Sequence, residues 1–79
     1  MTNFNVLNIS QHWDAGESAC GELILGLKRQ LAGIDIGALL RVTANGAGAP
    51  ADLSAWCRVT GHELVIAHHP DYVLRKKGA

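Results

Sequence analysis

The sequence predicts an α/β (α+β) two-layer sandwich, a four-stranded mixed sheet with two helices on one face, in the order β-α-β-α-β-β. Three observations lead there. Two segments, 20–32 and 50–60, carry apolar residues at helical spacing and stop at a glycine. Four shorter segments have the apolar runs of strands, and the two kinds alternate until a closing hairpin. Two amphipathic helices bury their stripes most economically together on one face of the sheet, with right-handed β-α-β crossovers. The 79 residues leave room for one domain spanning 1–79, near the size below which cores need staples, and an apolar share of 48% supplies that core.

Phe4 to Ile9 alternates and reads as the first strand. His12 to Gly16 breaks that pattern and reads as a turn, with Ser18 as a helix N-cap. From Cys20, Leu23, Ile24, Leu27 and Leu31 fall at i+3, i+4, i+7 and i+11, which predicts a helix over 20–32 that stops at Gly33. Gly26 inside it costs roughly 1 kcal/mol relative to Ala, so either this helix is locally weak or something packs close to its backbone. Ala38 to Ala44 is the second strand, and Asn45-Gly46 opens a small, flexible loop. Pro50 and Asp52 mark the second helix entrance, with Leu53, Trp56, Cys57 and Thr60 as its inward stripe and Gly61 its end. Leu64 to His68 and Tyr72 to Arg75 form a hairpin around Pro70-Asp71, and the run Arg75-Lys76-Lys77-Gly78 then frays outward.

Seven basic and seven acidic side chains cancel, so no net field draws the chain to nucleic acid or an anionic membrane. Lys28 with Arg29, and Arg75 to Lys77, are short basic groups that read as a solvated helix face and a tail, and without interleaved aromatics they give no strong nucleic-acid signal. No stretch approaches the ~20 apolar residues of a membrane span, and the N-terminus has no signal-peptide pattern, so a cytoplasmic location is expected. A reducing compartment then argues against a Cys20–Cys57 disulfide.

Chemistry concentrates on Cys20. A thiol in the first turn of a helix meets free backbone N–H groups and the positive end of the dipole, both of which favour thiolate. Glu22, two residues on, opposes them. The alternative is a buried small residue, because position 20 shares an arc with Leu23, Ile24 and Leu27. Cys57, between Trp56 and Arg58, reads as core filler. His62, His68 and His69 lack the spacing of a metal cluster, and no cofactor is called for.

These residues resemble a known family. Trp13-Asp14-Ala15, Cys20 six positions after Asp14, the block from Asp52 to Leu64 (DLSAWCRVTGHEL) and the closing Tyr72…Arg75-Lys76 look like the TusA/SirA-like sulfur carriers, over nearly everything from His12 onward. The resemblance implies the β-α-β-α-β-β sandwich and a cysteine that takes sulfane sulfur as a persulfide. By position that residue is Cys20, framed by Asp14. It implies two kinds of partner, a cysteine desulfurase or rhodanese-type donor and an acceptor protein of a sulfur relay, in tRNA thiolation, molybdenum-cofactor supply or sulfur oxidation. The family pattern Cys-Pro-x-Pro here reads Cys20-Gly21-Glu22-Leu23, Glu17-Ser18 replace a Gly-Leu pair, and Asn45-Gly46 replace an acidic pair. A second reading is a non-catalytic interaction or regulatory module that keeps the sandwich without the carrier chemistry.

Overall fold

The computed structural model describes residues 8–18 and 20–78, without the side chain of Cys20. Six elements follow in the order β1 (Ile9–Gly16), α1 (Cys20–Ala32), β2 (Leu39–Ala44), α2 (Ala49–Thr60), β3 (Glu63–His68) and β4 (Asp71–Arg75). The sheet order is β1-β2-β4-β3. β1 runs parallel to β2, whereas β4 lies antiparallel to both β2 and β3, which makes the sheet mixed.

Helix α1 forms where the spacing places it. Leu23, Leu27 and Leu31 are buried on one stripe, and each such leucine contributes roughly 2 kcal/mol of transfer free energy. In α2, Pro50 stands in the first turn, Leu53 and Cys57 point inward, and Gly61 at φ 88° closes the helix by giving its N–H to the Cys57 carbonyl. That left-handed backbone is accessible to glycine at little steric cost. Both stripes meet Leu40, Val42 and Ala44 of β2 and Tyr72 and Leu74 of β4, so the two helices share one face of the sheet and the core lies between the layers.

The other face carries polar side chains. Thr43 donates its hydroxyl to Asp71 Oδ1 at 2.9 Å, Arg41 Nη2 donates to the same oxygen at 3.2 Å, and His12 Nε2 lies 2.9 Å from Thr43 Oγ1. Register explains the set: Thr43 stands opposite Asp71, and His12 opposite Arg41.

Two expectations change. The first strand is Ile9–Gly16, so His12 to Gly16 is strand rather than turn; the Phe4-to-Val6 part of the expected strand lies outside the described residues. β1 is an edge strand with one face covered, so only Ile9, Gln11, Trp13 and Ala15 turn toward the helices while Ser10, His12 and Asp14 turn away. Its polar half looked like a loop for that reason. The end of the chain does not fray at Arg75 either. Lys76 exchanges backbone hydrogen bonds with Ala38 and Gly37, its Nζ donates to the Ile34 carbonyl at 2.8 Å, and the Lys77 N–H donates to His62 Nδ1 at 3.1 Å.

Candidate functional site

The parallel pair β1 and β2 delivers both helices from the same edge of the sheet. Each helix begins just beyond the C-terminal end of its strand, so the positive poles of α1 and α2 lie at one end of the molecule. The two connections are tied together: the Asn45 N–H donates to the Gly16 carbonyl at 2.7 Å, and a Cβ added to Gly46 would stand 3.4 Å from the Ser18 carbonyl oxygen. The Ala49 N–H in turn donates to the Gly46 carbonyl at 3.1 Å.

The turn into α1 is held by short-range bonds. Asp14 Oδ1 accepts the Gly16 N–H at 2.9 Å, and Gly16 takes φ 58°. A carboxylate two residues before the turn satisfies a donor that the reversing chain would otherwise leave to water. The Ser18 N–H and hydroxyl both donate to the Ala15 carbonyl, at 3.2 and 2.6 Å. The expected Ser18 cap is thus a clasp on the end of β1. Cys20 is the first residue of α1. At position 21 the backbone is open, with nothing within 4 Å of an added Cβ, while Leu23 sits in the core. The two sites at which this chain departs from Cys-Pro-x-Pro therefore differ: the first is solvent-facing and the second is packing.

Trp13 anchors the strand that carries Asp14. Its ring lies over Gly26 of α1, where an added Cβ would fall 2.1 Å from Cη2. Gly26 is thus the close approach of helix to strand for which the sequence left room.

Burial explains the second thiol. Cys57 is 5% exposed in the core, and desolvation pushes its pKa up to about 11. It stays a neutral thiol at physiological pH. The histidines go to separate places: His62 stacks on Trp56 with ring centroids 5.3 Å apart, His69 Nδ1 pairs with the Tyr72 hydroxyl at 2.6 Å, and His68 is exposed on β3. Among the described residues no three His, Cys, Asp or Glu side chains gather as metal ligands.

On the outer surface, between α1 and α2, an open groove is lined by Ile24, Asp52, Ala55, Trp56 and Val59. Ile24 lies one helical turn beyond Cys20. Sequence reasoning did not single out this groove, because Val59 falls off the buried stripe and a lone exposed valine carries no signal of its own.

The family described as Sulfurtransferase TusA matches residues 12–75, which includes the Asp14 turn, the start of α1 and the whole α2–β4 unit. The chain belongs to the TusA family. Two Neisseria meningitidis proteins, one from each of two strains, are named "putative sulfur carrier protein"; each is 41% identical over 64 residues, covering 81% of this chain and 86% of its own length. A Bacillus subtilis protein of the same description, YrkF, is 34% identical over 62 residues. That match covers 78% of this chain and 34% of YrkF, so in the Bacillus protein the TusA-like unit is one part of a longer chain. No helix among the described residues is long and apolar enough to cross a membrane.

Proposed function

We propose that this TusA-family protein is a cytoplasmic sulfur carrier whose Cys20 takes sulfane sulfur as a persulfide from a cysteine desulfurase or rhodanese-type donor and relays it to an acceptor protein. The observation that supports it is the position of Cys20 as the first residue of α1, at the positive end of that helix's dipole. The Cys20 thiolate attacks the outer sulfur of the donor's persulfide. A new S–S bond forms at Cys20, the donor's S–S bond breaks, and the donor leaves as thiolate. In the second transfer an acceptor thiolate attacks the outer sulfur now on Cys20, and Cys20 is the leaving thiolate. Each step needs an accessible nucleophile and a stable leaving group, and a helix start serves both roles because it stabilises the sulfur anion.

The test is incubation with a cysteine desulfurase and cysteine, followed by intact-mass and peptide-level mass spectrometry. The protein gains one sulfur mass, Cys20→Ser abolishes the gain, and Cys57→Ser retains it. Sulfur found on Cys57 alone, or on neither residue, refutes the carrier reading.

A further inference from the structure

The balanced net charge conceals a separation of charge along the molecule. β1, β2 and β3 run toward the end where α1 and α2 begin, while β4 and both helices run away from it. Five of the seven acidic residues consequently collect at the thiol end: Asp14, Glu17, Glu22, Asp52 and Asp71. The opposite end receives six of the seven basic residues: Lys28 and Arg29 late in α1, Arg58 late in α2, and Arg75, Lys76 and Lys77 where β4 finishes. Only Asp35 and Glu63 offset them there, and the Arg41–Asp71 ion pair cancels one of the five carboxylates at the thiol end, leaving four.

The groove between the helices spans this gradient. Asp52, in the first turn of α2, stands at its thiol end; Ile24, Ala55 and Trp56 form its apolar middle; Val59, 84% exposed, lies near the far end next to Arg58. An occupant that buries an apolar side chain here gains most if its cations point toward Cys20, and Arg58 repels the reverse orientation.

We infer that this groove docks a partner protein whose surface presents a protruding apolar side chain flanked by basic residues on the side that meets Cys20. The inference rests on the carrier reading of Cys20 and names the chemistry of the surface that exchanges sulfur with it. Acidic surfaces are rejected by the same field, so the charge separation selects among thiol proteins before any sulfur moves. Steering of this kind accelerates encounter and fades as salt rises.

Synthetic peptides test it with the full chain. Leu-Gly-Gly-Lys-Cys-Lys (Lys-Leu), Leu-Gly-Gly-Glu-Cys-Glu (Glu-Leu) and Ser-Gly-Gly-Lys-Cys-Lys (Lys-Ser), whose spacers let the first residue span the groove from Cys20 toward Val59, are each prepared as a mixed disulfide with one common leaving thiol, and hydroxyethyl disulfide serves as the uncharged reference. In each reaction Cys20 thiolate attacks the peptide sulfur, the old S–S bond breaks and the leaving thiol is released and measured. At about 50 mM salt the Lys-Leu peptide modifies Cys20 at least about 10-fold faster than the Glu-Leu peptide, and the ratio collapses near about 1 M salt. The leucine peptide outpaces the serine peptide, an advantage that Val59→Ser removes. Asp52→Asn narrows the Lys-to-Glu ratio. Both substitutions are at surface positions, and unchanged rates with hydroxyethyl disulfide show that the thiol itself is intact.

Equal rates for the Lys and Glu peptides at low salt, or a leucine advantage untouched by Val59→Ser, overturn the inference. Normal sulfur loading of Cys20 without any peptide preference sinks the docking surface alone; peptide preference without sulfur loading supports the docking surface and sinks the carrier. Salt-sensitive head-to-tail association in sedimentation would assign the groove to a second copy and overturn the proposed partner.

Discussion

Adding one methyl group at Gly26 separates helix propensity from packing. A Cβ built there lies 2.1 Å from Trp13 Cη2 and 2.4 Å from Cζ2. Carbon atoms in contact rest at about 3.5 Å or more, so the ring or the helix must give way by roughly 1.4 Å. Glycine to alanine inside a helix gains about 1 kcal/mol in propensity. Overpacking costs about 1–3 kcal/mol, and here it falls on a large ring wedged between β1 and α1. The expected net for Gly26→Ala is a destabilisation of about 1 kcal/mol, a loss of several degrees in melting temperature for a chain of this size. Gly21→Ala is the matched control in the same helix: its Cβ meets nothing within 4 Å, so it stabilises by up to about 1 kcal/mol. Urea unfolding followed by circular dichroism reads both. A double-mutant cycle with Trp13→Leu isolates the contact, since the alanine penalty shrinks once the ring is gone. Gly26→Ala as stable as Gly21→Ala would refute the close approach.

Asp14→Ala removes the acceptor of the Gly16 N–H, and the expected loss is about 0.5–1.5 kcal/mol in urea unfolding, with slower sulfur loading of Cys20; Asp14→Asn keeps the bond and most of both. His62 titrates below its ordinary 6.5 because burial, then Lys77 and Lys76, disfavour its imidazolium, and its Nδ1 accepts the Lys77 N–H. The unfolded chain therefore binds the proton first as pH falls, and stability is lost from about 6.5 down to the folded-state value and then levels. Urea midpoints measured across this range should show that limb in the native chain and its reduction in His62→Gln. Native-state alkylation near neutral pH should label Cys20 and spare Cys57, whose thiol is raised to about 11 and buried; label on Cys57 without unfolding would contradict the packed core.

Helix α1 was legible to the residue. Its stripe of Leu23, Leu27 and Leu31 and its stop at Gly33 are local patterns, and a helix satisfies its own backbone, so spacing alone carried the bounds and put Cys20 at the start. The second helix, second strand and hairpin followed from the same local chemistry of Pro50, Gly61 and Pro70. β1 was not legible in the same way. A strand's partners lie elsewhere in the chain, and Ile9, Gln11, Trp13 and Ala15 form an inward row only once β2 and α1 cover them. The period of two was present in the letters, but Gln11 and the polar outward residues masked it.

The sequence by itself determined that a cysteine would stand at the start of α1, which stripes would be buried and how many layers they would make, because these depend on neighbours a few positions apart. Only the tertiary structure decided that Trp13 rests on Gly26, that Lys76 and Lys77 are tied back to Ile34, Ala38 and His62, and that charges summing to zero stand at opposite ends. Those facts depend on the direction in which each strand crosses the sheet, and direction is fixed by pairing between segments that are distant along the chain.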